Sequence, residues 1–246
     1  MTSNEKNPAI VLIPGHWLGA WAWDDVAEHL GEPGYHTIAM TLPGLDPEDA
    51  QRASRTLDDQ TSAIEQTLAH QAATGQGSVV IVAHSGANAP VGMVLDRHPG
   101  LVSRVIWIDS GPLASGSVFA PEAPADLEEL PLPAFEGLAQ QASLEGLGPD
   151  DLDRFRRRAV PEPGAVLRQA VTLTNDERFD VPTTLVCCSI SSDQVRELAT
   201  AGHPMFAEVG RLTQVDFLDL PTGHWPMWSR PADLARIIAS AVSPTR

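Results

Sequence analysis

The sequence contains very little lysine and cysteine for its 246 residues. Lys6 is the only lysine, although arginine is common, so lysine chemistry is excluded. The two cysteines, Cys187 and Cys188, are adjacent within an apolar run, and neighbours on a strand point to opposite faces. This arrangement excludes a disulfide scaffold and favours two small buried side chains over a redox or metal pair. We therefore expect no metal and no cofactor.

Long apolar runs and an excess of positive charge are also absent. No run approaches the roughly 20 apolar residues of a membrane span, and the polar start from Met1 to Pro8 does not resemble a secretion signal. Acidic residues number 32 against 16 basic ones, which gives a formal net charge of −16. This charge argues against nucleic acid or an anionic membrane as partner. We expect a cytoplasmic monomer or homodimer that binds a small-molecule substrate.

Short apolar, β-branched runs alternate with longer helical patterns along the chain. This alternation predicts an α/β fold in which helices cover both faces of a mostly parallel sheet. The length fits one large domain. Six strands are predicted, at Ala9 to Pro14, His36 to Leu42, Ser78 to Ala83, Arg104 to Asp109, Thr183 to Ser189 and Val215 to Leu220.

Residues 112–180 interrupt this alternation. They contain no convincing strand and one predicted helix, from Pro149 to Ala159, whose first turn carries Asp150 and Asp151. A segment this long inside a compact domain usually covers a functional site or is disordered, and its leucines and phenylalanines favour a packed cover. The sequence therefore predicts a core of residues 1–111 and 181–246 with an inserted helical lid at 112–180.

The third predicted strand runs directly into Ala83-His84-Ser85-Gly86-Ala87, and a helical pattern follows. A serine between small residues at such a strand-to-helix turn is typical of a nucleophile elbow, because the tight turn brings backbone close to the serine. Ser85 is therefore the predicted nucleophile. The N–H of Gly86 can point at a developing oxyanion, and His84 is expected to shape the pocket wall.

The loop after the first strand reads Pro14-Gly15-His16-Trp17-Leu18-Gly19-Ala20-Trp21. Gly15 allows a sharp turn that would direct the backbone N–H of His16 at the same oxyanion. Only this backbone group is needed, so a catalytic role for the His16 side chain is not favoured. Trp17 is expected to line the substrate pocket.

His224 lies in the segment Gly223-His224-Trp225-Pro226, directly after the last strand and before the last helix. A histidine at this edge of the sheet can reach Ser85 and act as general base. Trp225 and Met227, which follow it, are expected to form part of an apolar pocket.

Two aspartates compete for the role of orienting the histidine. Asp193 follows the fifth strand, and the chain order Ser85, Asp193, His224 is the usual order of such triads. Asp109 ends the neighbouring strand, where some proteins of this kind place their acid but where a structural aspartate is as common. Asp193 is the preferred assignment, and Asp109 is the alternative.

The Gly-x-x-x-Gly-Ala-Trp-x-Trp stretch from Gly15 to Trp23, the elbow around Ser85 and the Gly-His turn at His224 resemble the α/β-hydrolase superfamily. They are most similar to the short-N-terminus branch that includes plant methyl esterases and hydroxynitrile lyases. Two departures stand out. Pro14 occupies a position where that branch usually has histidine, and alanines replace the outer glycines of the elbow.

The resemblance implies a serine hydrolase that cleaves a small or medium apolar ester, lactone or thioester through an acyl-enzyme. A hydroxynitrile lyase, in which the triad acts only as a base, is a second hypothesis. The plant lyases use a lysine near the site, and Lys6 is far in sequence from Ser85 and His224. A third hypothesis is a weakly catalytic ligand-binding protein with the same fold.

Overall fold

The computed structural model describes residues 8–74 and 79–242. Lys6, Ser78 and almost all of the polar start lie outside this part of the chain. The strands are β1 (Ile10–Ile13), β2 (Thr37–Ala39), β3 (Val79–His84), β4 (Val102–Ile108), β5 (Glu129–Leu130), β6 (Glu162–Pro163), β7 (Thr183–Cys187) and β8 (Val215–Asp219). Six of them form one parallel sheet in the order β2-β1-β3-β4-β7-β8. The predicted α/β architecture is confirmed.

The helices lie between the strands, in the segment that separates β4 from β7, and after β8. They are α1 (Asp24–Gly31), α2 (Leu57–Ala73), α3 (Asn88–Arg97), α4 (Phe135–Leu138), α5 (Pro149–Arg158), α6 (Gly164–Arg168), α7 (Ser192–Thr200), α8 (Pro226–Ser229) and α9 (Pro231–Val242). No helix among the described residues is long and apolar enough to cross a membrane.

The sheet separates two apolar cores because side chains alternate along each strand. Ile10 and Leu12 of β1 pack in one core with residues of α1 and α9, whereas Val11 and Ile13 pack in the other with residues of α2 and α3. Both faces are covered, which explains why the central strands β1 and β3 are buried along their whole length and almost entirely apolar. Cys187 and Cys188 belong to opposite cores and are free thiols, as predicted.

The insertion, defined here as residues 109–182 between β4 and β7, contains the antiparallel pair β5 and β6 as well as three helices. The helix predicted at Pro149 to Ala159 is present as Pro149–Arg158. The strand pair was missed because two residues per strand are too few to show a periodicity. The insertion contacts the loops at the carboxyl edge of the sheet: the Val160 N–H donates to the Trp17 carbonyl at 3.0 Å.

Candidate active site

Ser85 lies at the turn between β3 and α3, in a short 3-10 helix that spans Ser85–Ala87. Its φ of 51° is in the left-handed region, which is strained for a residue with a side chain. The turn is also crowded: a Cβ on Gly15 would lie 2.8 Å from the Ser85 Cβ. These features agree with the tight strand-to-helix turn predicted around Ser85 and explain why glycine is required at position 15.

His224 lies in the loop between β8 and α8, and its Nε2 is 2.7 Å from the Ser85 Oγ. The backbone of this loop is fixed by the insertion, since the His224 N–H donates to the Ser143 carbonyl at 2.7 Å and the Gly223 N–H donates to the Glu145 carbonyl at 3.0 Å. The imidazole is therefore held in reach of the serine hydroxyl by contacts on its own backbone.

Asp109 is the carboxylate that contacts His224, with 2.6 Å between the Asp109 Oδ2 and the His224 Nδ1. It directly follows β4, which is the neighbour of β3 in the sheet. The N–H groups of Cys188 and Ser189 donate to its Oδ1 at 3.1 and 2.9 Å, and the Ser189 hydroxyl donates to Oδ2 at 2.6 Å. Four donors therefore hold one buried carboxylate in place.

The ionised form of Asp109 is favoured by these partners. Burial by itself raises the pKa of the carboxyl, but the hydrogen bond and charge of His224, together with the hydrogen bonds of Ser189, outweigh burial and leave the pKa below its usual value. A carboxylate with this environment fixes the proton of His224 on Nδ1, so that Nε2 faces Ser85 as an acceptor.

The preferred assignment of Asp193 is wrong. Its side chain is 94% exposed and pairs with Arg196 of the same helix. Asp193 lies in the first turn of α7, which begins at a capping box formed by Ser191 and Gln194. The Ser-x-x-Gln pattern of that box was visible in the sequence and predicts that Asp193 lies in the first turn of a helix, but it does not indicate which way the side chain faces.

His84 holds the backbone of His224 by a hydrogen bond. Its Nε2 donates to the His224 carbonyl oxygen at 2.7 Å, and the ring is buried. Burial, reinforced by the nearby charge of His224, lowers the pKa of His84 to about 3. The side chain is therefore neutral at ordinary pH and contributes a hydrogen bond rather than a charge.

The loop after β1 lies beside the elbow. Trp17 has a φ of 65°, and its N–H donates to the Glu162 Oε2 of β6 at 3.2 Å. This turn presents His16 to the site, next to Gly86. Gly86 is the second residue of its 3-10 helix, where backbone N–H groups have no partner within the helix.

A cavity of about 540 Å³ opens above Ser85 and is lined mainly by apolar side chains. Trp17, His84 and Trp225 line it, in agreement with the prediction. Met227 does not: it is fully buried in the core that also holds Trp228, so its expected role in the pocket is wrong. Apolar residues after a strand can enter the core or the pocket, and the sequence does not distinguish the two.

Sequence reasoning missed two residues of this site, both in the insertion. Glu162 pairs with His16, with 3.1 Å between Oε2 and Nδ1, and the Phe119 ring packs on the His16 ring at a centroid distance of 4.0 Å. Neither residue lies in a motif, and no local pattern indicates its contacts. Among the described residues, no cluster of three or more histidine, cysteine or acidic side chains could hold a metal ion.

A parallel sheet that positions a serine, a histidine and an aspartate at its carboxyl edge defines the class of α/β hydrolases. A family model described as "Alpha/beta hydrolase family" matches residues 10–237. The chain therefore belongs to the alpha/beta hydrolase family.

A relative with a methylesterase name is similar to about half of the chain. Over 123 residues the chain is 30% identical to an Arabidopsis thaliana protein named "Putative methylesterase 12, chloroplastic", a match that covers 48% of this chain and 34% of that protein. The match thus spans about a third of the relative's length.

Two solved structures share the fold over nearly the whole chain. An extracellular α/β-hydrolase from a Paenibacillus species has a TM-score of 0.74 at 17% identity, with 95% of this chain and 98% of that chain covered. A methylesterase from Arabidopsis has a TM-score of 0.68 at 19% identity, with 96% and 98% covered.

Proposed function

We propose that this protein hydrolyses a small or medium apolar carboxylic ester, lactone or thioester through an acyl-enzyme on Ser85. The observation that carries the proposal is the continuous chain of hydrogen bonds from the Ser85 hydroxyl through His224 to Asp109, with distances of 2.7 and 2.6 Å. The similarity to methylesterases supports an ester as the substrate.

In this mechanism the His224 Nε2 takes the proton of Ser85 as the serine oxygen attacks the carbonyl carbon. The tetrahedral intermediate collapses as the imidazolium gives that proton to the leaving alcohol or thiol. Water then enters, loses a proton to His224 and cleaves the acyl-enzyme, which releases the acid and restores Ser85. Asp109 stabilises the imidazolium in both halves of the reaction.

The backbone N–H groups of His16 and Gly86 are the proposed donors to the oxyanion. The close packing of Gly15 on the elbow supports this assignment, since a Cβ on Gly15 would lie 3.1 Å from the Gly86 nitrogen. The two loops are therefore near enough for both amides to face one oxygen. Each such donor contributes about 3 kcal/mol to stabilising the transition state.

The apolar lining of the cavity supports an apolar substrate, and the insertion supports the predicted role of a lid. Leu138 and Val166 of the insertion line the cavity together with Phe119. Desolvation under such a cover strengthens the hydrogen bonds to the oxyanion.

Replacement of Ser85 by alanine tests the proposal. Ser85→Ala is expected to lower kcat for p-nitrophenyl butanoate by about a million-fold and to abolish labelling by a fluorophosphonate probe, because the variant lacks the attacking oxygen. Rates are measured from p-nitrophenolate release and labelling by mass spectrometry.

The control is Ser103→Ala, which removes a hydroxyl at the opposite end of the sheet, where it donates to the Val79 carbonyl. This variant is expected to keep its labelling and turnover. If Ser85→Ala retains labelling or turnover while folded by circular dichroism, Ser85 is not the nucleophile. Conversion of a cyanohydrin without any ester turnover would favour a lyase instead.

A further inference from the structure

His16 and Glu162 form a second histidine–carboxylate pair beside the cavity, which the proposed mechanism does not use. The His16 Nδ1 lies 3.1 Å from the Glu162 Oε2, and the side chains are only 9% and 1% exposed. Burying a carboxylate requires hydrogen-bond donors around it. A buried pair next to the nucleophile therefore calls for an explanation beyond the backbone role of His16.

The other contacts of Glu162 determine which nitrogen of His16 carries a proton. Its Oε2 also accepts the Trp17 N–H at 3.2 Å, and its Oε1 accepts the Gln60 Nε2 at 3.4 Å. Because these partners are donors, both oxygens of Glu162 act as acceptors, and the His16 Nδ1 carries a hydrogen directed at Oε2. In the neutral imidazole the Nε2 is then an acceptor with a free lone pair.

The Nε2 of His16 lies over Gly86. The nearest atoms to a Cβ on Gly86 would be the ring atoms Cδ2, Nε2 and Cε1 of His16, all closer than real Cβ atoms come. Glycine at position 86 thus leaves space for the imidazole. The Nε2 is buried and has no hydrogen-bond partner among the described residues. His16, Gly86 and Phe119 all line the cavity.

We propose that His16 is a specificity-determining residue whose Nε2 accepts a hydrogen bond from a hydroxyl on the substrate carbon next to the scissile carbonyl, with Glu162 as its positioning residue. The preferred substrates are thus esters or thioesters of 2-hydroxy acids. A hydroxyl on that carbon can lie on the same side as the carbonyl oxygen, and the oxygen is held beside Gly86 in the proposed mechanism. This inference rests on the proposed function.

The physical reason for selectivity is the unpaired acceptor. The Nε2 has no donor within the described part of the free protein, and an ester without the hydroxyl leaves it so, whereas a 2-hydroxy ester satisfies it. Sites built to hydrogen-bond a substrate hydroxyl reject the analogue that lacks it far more strongly than apolar pockets reject a size change. We expect kcat/KM to favour the hydroxy ester by at least about 10-fold.

The experiment compares thioesters of 2-hydroxybutanoate, 2-methoxybutanoate and butanoate with the same leaving group. The wild type is expected to prefer the 2-hydroxy compound over both others. His16→Phe keeps a planar ring without nitrogens. In this variant the preference for the 2-hydroxybutanoate thioester over the butanoate thioester is expected to fall by about 10-fold or more. His16→Gln can present an amide oxygen and is expected to keep part of this preference. Glu162→Gln is expected to lose part of it.

A purely structural role of the pair would lower the rates for all three substrates by the same factor and leave their ratios unchanged, and that result would overturn the proposal. A preference for the 2-methoxy compound, which accepts but cannot donate, would also overturn it, because the Nε2 would then be a donor.

A binding measurement separates this inference from the proposed function. In Ser85→Ala labelled with ¹⁵N-histidine, the His16 Nε2 resonance is expected to shift when the 2-hydroxy ester binds and not when the unsubstituted ester binds. Equal responses to the two esters refute the role of His16 whatever the fate of Ser85. Failure of the fluorophosphonate to label Ser85 in the wild type refutes the acyl-enzyme alone.

Discussion

Burial distinguishes Asp109 from Asp193, the two aspartates that could orient His224. Asp109 follows β4 directly, and its oxygens receive four donors from His224, Cys188 and Ser189. Asp193 belongs to an exposed helix turn and pairs only with Arg196. An exposed pair of this kind contributes little, because both side chains are screened by solvent. The orienting role therefore requires the aspartate that is already desolvated and hydrogen-bonded.

Exchange of each aspartate for asparagine tests this distinction. Asp109→Asn is expected to lower kcat by about four orders of magnitude, because the neutral amide no longer fixes the His224 tautomer or stabilises the imidazolium. Asp193→Asn is the matched control and is expected to keep kcat within about 2-fold, as a surface change away from the site. Ester hydrolysis by both variants is compared at one pH, and greater damage in Asp193→Asn would contradict the assignment.

At the scale of elements, the insertion lines the cavity and also positions the histidine loop. Backbone carbonyls of Ser143 and Glu145 accept the N–H groups of His224 and Gly223. The contact is possible only because residue 223 lacks a side chain: a Cβ there would lie 2.5 Å from the Glu145 oxygen and 2.6 Å from the Ser143 oxygen. The insertion and the core therefore fit together at this glycine.

Gly223→Ala is expected to break this fit. The methyl group meets backbone atoms that cannot rotate away, so the free energy of unfolding should fall by about 1–3 kcal/mol. A shift of the His224 loop by about 1 Å should also lower kcat by up to about 100-fold. Urea unfolding and ester hydrolysis measure the two effects.

The control for this substitution is Gly210→Ala, since a Cβ on Gly210 would meet no atom within 4 Å. It should leave both unfolding and hydrolysis nearly unchanged. Equal behaviour of the two alanine variants would show that the insertion does not position His224.

At the scale of the whole molecule, the buried neutral histidine links stability to pH. The pKa of His84 is lowered by burial from 6.5 to about 3 in the folded protein. Between these values the unfolded chain binds a proton at His84 and the folded protein does not. Stability from this group is therefore fully present above about pH 6.5 and is lost on acidification towards pH 3.

His84→Gln is expected to reduce this pH dependence, because glutamine does not titrate. Between pH 4 and 6 the slope of unfolding free energy against pH should be smaller than in the wild type by up to about 1.4 kcal/mol per pH unit. Urea unfolding at several pH values measures the slope. The control is His70→Gln, at an exposed histidine. An equal slope in His84→Gln and the wild type would refute the linkage between His84 and stability.

The fold and two members of the proposed catalytic triad, Ser85 and His224, were predictable because their signals are local. Apolar runs of strand length gave the six strands, the small residues around Ser85 indicated the elbow, and the Gly-His turn after the last strand indicated His224. Each signal depends on residues that are adjacent in sequence, and the sheet brings the ends of its strands to one edge whatever the insertion does.

Only the tertiary structure decided which aspartate contacts His224 and that His16 pairs with Glu162. Asp109 and Asp193 both follow strands that reach the carboxyl edge of the sheet. Asp109 is distinguished by its desolvation and by its hydrogen bonds with Ser189 and His224. Glu162 and His16 are in contact although they are 146 positions apart in the sequence. Contacts between distant segments depend on how the insertion packs, and no local pattern encodes that packing.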